Sequence, residues 1–244
     1  MRNIKLTISY DGTRYKGWQL QKNGWTVQAE IEKAIKKVLG KQYRVHGASR
    51  TDSGVHAKAQ VINFKTSSNI PVSKIPLALN SVLPEDVAVI KAEEVRIDFN
   101  PQFDAKSKHY RYYILNSNKR DPFSEKYLWR VPSKLNASLM NKEAKVLIGR
   151  HDFKSFQATD KRERSSVRKI TRISVKKKKE TIAIDVEADG FLYNMVRNIT
   201  GTLVDIGRGY LPPGSMKKIL KAKDRTKAGP TAPPQGLFLM EVKY

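Results

Sequence analysis

Arg50, Thr51 and Asp52 place a guanidinium and a carboxylate two residues apart in the small-residue stretch HGASRTDSGVHAKAQVINF, His46 to Phe64. A carboxylate can act as a nucleophile or an acid–base group. Read on its own spacing, however, Thr-Asp-Ser-Gly is a turn, with the aspartate accepting backbone amides and Gly54 supplying a positive φ. Arg50 beside it is equally explained as a surface ion-pair partner, worth about 0–1 kcal/mol. A second concentration of chemistry is KHYRYYIL, Lys108 to Leu115. On a strand, Tyr110, Tyr112 and Ile114 share one face and His109, Arg111 and Tyr113 the other. Tyrosines beside cations form a base-stacking platform, although strand propensity alone also favours tyrosine.

Other chemistries are excluded by composition. The chain has no cysteine, so disulfides, thiolate nucleophiles and Cys-ligated zinc are absent. His46, His56, His109 and His151 are too dispersed for a compact His-based metal motif. No Gly-rich phosphate loop or dinucleotide fingerprint occurs, and neither a metal nor a cofactor is expected. Lys plus Arg number 47 against 23 Asp plus Glu in 244 residues, a formal charge of +24. That excess points to a polyanionic partner, nucleic acid before membrane. No apolar run approaches the roughly 20 residues of a spanning helix, and MRNIKLTISYDG alternates like a strand rather than a signal peptide, so a cytoplasmic protein is expected.

The elements that must position these residues are mixed α and β. NIKLTISY alternates with period two and closes at Asp11-Gly12. TVQAEIEKAIKKVLG carries Val27, Ile31, Ile35 and Val38 at helical spacing between a Thr26 N-cap and a Gly40 C-cap. HAKAQVINF and DVAVIKAEEV read as strands flanking a helix in VSKIPLALNSVL, with Pro76 in its first turn. Beyond a boundary loop, RIDFNPQFDAKSK, the second half adds the tyrosine strand, a helix in NASLMNKEAKVLIG and a strand pair in SVRKITRISVKKKK and TIAIDVEADG. An amphipathic helix in FLYNMVRNITGTLVDIG, a short helix in PPGSMKKILKAK and a final strand in GLFLMEVKY complete it. The expectation is an α+β fold of two halves, 1–104 and 105–244, each a sheet with helices on one face. In the amphipathic helix FLYNMVRNITGTLVDIG, Phe191, Met195, Ile199 and Thr202 form an apolar stripe that leaves Arg197 off it. That places Arg197 on a solvent face, unless a second sheet turns the position into a cleft. The basic runs Lys161–Lys169 and Lys176–Lys179 fit either solvated faces or phosphate contacts.

SRTDSGVHA, Ser49 to Ala57, resembles the signature of the tRNA pseudouridine synthase A family. YDGTRYKGWQLQ, TVQAEIEKA, KHYRYYI, GRHDFKSF, GFLYNMVRNITGTLVDIGRG and TAPPQGLFLMEVKY are similar to further family blocks in family order, so the likeness spans essentially the whole chain. Ser49 and Ser53 depart from the family's usual glycine and alanine, and both are small enough to keep the turn. The resemblance implies isomerisation of uridine to pseudouridine at positions 38–40 of the tRNA anticodon stem-loop, without a cofactor. It implies Asp52 as nucleophile, Arg197 as the cation paired with it, and Tyr110 stacked on the uracil. Arg50 is implied to fill the place of the flipped base. It further implies two RRM-like, ferredoxin-like α+β halves sharing an extended, mostly antiparallel sheet with a central basic cleft, and a homodimer on tRNA. The competing reading from the residues is a non-catalytic RNA-binding or chaperone protein on an RRM-like sheet, for which the charge and the tyrosine strand suffice.

Overall fold

The computed structural model describes residues 1–159 and 165–244; the first part of the Lys161–Lys169 run lies outside the described residues. By its contacts the chain divides into two compact units, Met1–Lys106 with Phe238–Tyr244, and Ser107–Leu237.

In the first unit, β1 (Arg2–Tyr10) leads to α1 (Val27–Leu39), β2 (His46–Gly47), β3 (His56–Thr66), α2 (Ile75–Asn80) and β4 (Val87–Val95). The period-two pattern of β1 buries Ile4, Leu6 and Ile8 completely. β1 lies antiparallel between β3 and β4, with Tyr10 opposite Ala57 of β3. α1 presents Ile31 and Ile35 to the core. Its ends are as the sequence requires: Thr26 accepts from the Ala29 amide at 3.3 Å, and Gly40 closes the helix with φ 74°.

The second unit opens on β5 (Ser107–Leu115) and β6 (Trp129–Arg130), then α3 (Ala137–Ala144), β7 (Gly149–Asp152), β8 (Val167–Lys178), β9 (Thr181–Ala188), α4 (Met195–Gly207) and α5 (Ser215–Ala222). β5 pairs antiparallel with β9, β9 with β8, and β8 with β7, while β6 runs parallel to β5. The last strand, β10 (Leu237–Lys243), carries most of its length back to the first unit, where Phe238 and Leu239 pair in parallel with His56 and Ala57 of β3. Sequence order places this strand with the second half; its contacts group Phe238–Tyr244 with the first unit. The fold is mixed α+β with mostly antiparallel pairing.

α4 differs from the amphipathic helix expected from its pattern. It begins only at Met195, because Asn194 sits in the left-handed region with φ 58°. Apart from Arg197, every residue from Met195 to Gly207 is buried. The reason is a covering segment over its second face. Gly229 donates to Thr202 Oγ1 at 2.9 Å, and the Pro230 carbonyl occupies the place where a Gly201 side chain would stand. Gly201→Ala is expected to cost about 1–3 kcal/mol through this collision with backbone, read as a lower urea midpoint at unchanged slope.

Candidate active site

The loop between β2 and β3 carries Arg50 and Asp52, and its backbone is anchored from both sides. From β3, the fully buried Gln60 brackets Ser49, accepting from its amide at 3.2 Å and donating to its carbonyl at 2.7 Å. From the other side comes the segment that follows β1. The Tyr10 and Thr51 hydroxyls share a hydrogen bond of 2.8 Å, and the Trp18 amide donates to the Thr51 carbonyl at 3.1 Å. Gly17 makes that approach possible. At φ +91° it lies where an added Cβ would stand 2.8 Å from the Thr51 carbonyl oxygen.

The turn itself is the one its residues specify. Val55 donates to the Asp52 carbonyl at 3.1 Å, and Gly54 adopts φ 75° at the third position, as a type II turn demands. Gly54 N and Ser53 Oγ both donate to the Tyr15 carbonyl, at 3.3 and 3.2 Å. Tyr15 is tied down in turn through its hydroxyl, 2.6 Å from Asp86. Burial and the nearby Asp86 carboxylate push its phenol well above the usual range. Thr51 is thus a buried anchor, with exposed Arg50 and half-buried Asp52 on either side of it.

His56 closes the loop's far end. Its Nδ1 accepts from the Gly12 amide at 3.0 Å, and its ring stacks on Phe238 at 4.6 Å. Asp11 Oδ1 also lies 3.1 Å from that nitrogen. The amide is a fixed donor, so Nδ1 serves as its acceptor; Asp11 also accepts from the Thr13 amide at 2.9 Å.

In the second unit, β5 places Tyr110 opposite Val186 and Tyr112 opposite Ile184. The shared face of Tyr110, Tyr112 and Ile114 is therefore real, and it is largely buried. Tyr112 is fully buried and donates to the Pro233 carbonyl at 2.6 Å. Tyr110 is 7% exposed and meets Phe191 edge-on at 5.0 Å. On the opposite face, His109 and Arg111 converge on Asp185 Oδ1 at 2.6 and 2.8 Å.

Arg197 lies in the first turn of α4 and is half-buried. Nε donates to the Ala232 carbonyl at 2.7 Å and Nη1 to Asn194 Oδ1 at 3.0 Å, while the Ala232 amide returns a bond to the Arg197 carbonyl at 3.2 Å. The solvent-face reading of this residue thus gives way to a guanidinium fixed at a set angle.

Two features escape inspection of the sequence. Gln60 reads as one polar position in an alternating strand. Lys108, two residues before Tyr110 on the same strand face, has its ammonium pushed down to about 8 by burial and by the neighbouring Arg168. Among the described residues no group of three or more His, Asp or Glu is placed to hold a metal ion.

The carboxylate sits on the anchored loop between β2 and β3, the tyrosine on β5 and the arginine in the first turn of α4. A family described as tRNA pseudouridine synthase matches residues 6–104 and 144–244. The chain belongs to this family. Curated relatives called tRNA pseudouridine synthase A align over all 244 residues of this chain and all of their own length. They are 49% identical in Thermoanaerobacter sp. (strain X514), 47% in Clostridium acetobutylicum and 48% in Geotalea daltonii.

Gln60→Leu would strand the Ser49 amide and carbonyl in the interior, with an expected loss of about 2–4 kcal/mol measured by urea unfolding. Lys108 supplies a pH test. Its unfolded value is 10.5 and its folded value about 8, so between them the unfolded chain holds a proton that the fold has released. Stability from this group therefore rises with pH across that window. The stability difference between wild type and Lys108→Met should shift toward wild type between about pH 7.5 and about pH 9.5; a constant difference would show an ordinary lysine.

Proposed function

We propose that this protein isomerises uridine to pseudouridine in tRNA, acting at positions 38–40 of the anticodon stem-loop. The observation that carries the reading is the anchored loop of the first unit. Its backbone is pinned at Ser49, Thr51 and Gly54, and Asp52 and Arg50 flank the one buried side chain between them. A nucleophile gains from being held in place, because positioning is prepaid before substrate arrives.

In this reading the reaction breaks the C1′–N1 bond, turns the uracil, joins C1′ to C5 and releases the C5 proton, while N1 ends protonated. No atoms are gained or lost overall. Asp52 attacks the nucleotide covalently. Arg197 supplies a fixed cation, which favours the ionised form of a carboxylate paired with it. Tyr110 stacks on the uracil. Arg50 takes the place of the base drawn from its stack, a step costing a few kcal/mol that a planar guanidinium offsets.

The proposal extends to architecture and setting. It takes the units as RRM-like halves sharing an extended sheet and a central basic cleft, working as a homodimer on tRNA in the cytoplasm. Among the described residues no helix is long and apolar enough to cross a membrane, and the charge of +24 suits an RNA partner.

Tritium release from tRNA carrying 5-tritiated uridine tests the reading, since making the C1′–C5 bond liberates that label. Wild type should release tritium. Asp52→Asn should bind tRNA within about twofold of wild type while losing at least about 10³ in rate, the scale of losing a covalent nucleophile. Appreciable turnover by Asp52→Asn would remove the nucleophile assignment; no release by wild type on bound tRNA would leave only an RNA-binding protein.

A further inference from the structure

The run Lys176–Lys179 ends β8, and the fold does not require it. Burial alternates along β8 through Ile173 and Val175, then stops; all residues from Lys176 to Glu180 are exposed. Lys176, Lys177 and Lys178 lie opposite Ala183, Ile182 and Thr181 of β9, so the exposed lysines border a ladder that is still buried at Ile182. Lys179 turns the chain in the left-handed region at φ 53°. Four like charges in sequence repel one another, and packing offers nothing in return.

Further cations gather at the same end of the sheet. Leu115 of β5 pairs with Thr181 on one side and with Arg130 of β6 on the other. The chain leaving β5 is fastened to the lysine hairpin. The Asn116 amide donates to the Glu180 carbonyl at 2.7 Å, Ser117 Oγ donates to Glu180 Oε1 at 2.8 Å, and Lys177 Nζ donates to Asn116 Oδ1 at 3.1 Å. The Lys119 amide then closes on Ser117 Oγ at 3.2 Å. Arg120 lies 3.1 Å and Arg130 3.8 Å from Glu125, so one carboxylate serves two guanidiniums. Among the described residues, none of the four lysines forms an ion pair.

We infer that this lysine hairpin, with Lys119 and Arg120 beside it, is a second docking surface for the RNA, taking its phosphate backbone away from the target uridine. The inference rests on the proposed tRNA substrate. Lysines two apart on one strand face stand ~6.8 Å from each other, close to the separation of consecutive phosphates along a nucleic-acid strand. Leu115 lies five strand residues beyond Tyr110, ~17 Å along β5, so the surface reaches backbone well removed from the reacting base. A flat anionic membrane is disfavoured because the hairpin brings only charge, with no apolar residue among Lys176–Glu180 to insert.

The test changes all four residues, Lys176 to Lys179, to Gln, with a second variant carrying Arg at all four. Both should keep the wild-type urea midpoint, since the side chains are exposed. On full-length tRNA the Gln variant should bind about tenfold more weakly, and its log–log salt slope should fall by roughly 2, the release from two to three phosphates. The Arg variant should retain the wild-type slope. On an isolated anticodon stem-loop the Gln variant should match wild type. An unchanged slope on full-length tRNA would overturn the inference, as would an equal loss on the stem-loop, which would assign the lysines to a general field. Binding of wild type but not the Gln variant to phosphatidylserine vesicles, with tRNA binding unaffected, would assign the surface to a membrane. Each readout is binding, so it stands apart from tritium release: a failure of the isomerase reading appears as wild type that binds tRNA and releases no label.

Discussion

The carbonyl of Thr51, held by the Trp18 amide at 3.1 Å, is the contact on which the first unit's functional loop depends. It forms only because Gly17 lets two stretches of backbone approach at a φ closed to ordinary side chains. Once it exists, the neighbouring bonds follow at short range: Tyr10 to the Thr51 hydroxyl, and Gly54 and Ser53 to Tyr15. Gln60 completes the frame from β3. A loop with this many backbone attachments has little entropy left to lose when substrate arrives, which is the physical content of preorganisation.

The second unit achieves the same end by burial. Tyr110 and Tyr112 are set by the ladder to β9, and Arg197 by reciprocal bonds with Ala232. A guanidinium whose Nε and one Nη are already bonded to fixed oxygens keeps its direction. The two units thus reach rigidity differently, one through backbone hydrogen bonds around a loop and the other through a buried helix and sheet. The basic hairpin at the far end of β8 belongs to neither device, which is why its charge reads as a surface for a partner.

Much of this was legible in the chain. The turn at Asp52 to Val55 was fixed by Gly54, the limits of α1 by Thr26 and Gly40, and the shared face of Tyr110 and Tyr112 by strand period. These are local properties, set by φ preferences, capping and alternation within a few residues. The ordered family motifs, from SRTDSGVHA through TAPPQGLFLMEVKY, likewise carried the family itself.

Other features depend on residues distant in sequence. The pattern of α4 suggested one apolar face, but the segment at Gly229 to Ala232 covers the other and turns Arg197 from a solvent residue into a held one. Tyr112 was a candidate stacking ring until Pro233 accepted its hydroxyl inside the core. By its contacts Phe238–Tyr244 of the last strand belongs with the first unit, where it pairs with β3. Element types, the loop's turn and the available chemistry follow from local residue preferences; burial, partners and the placement of the last strand come from long-range packing, whose energy no local pattern encodes.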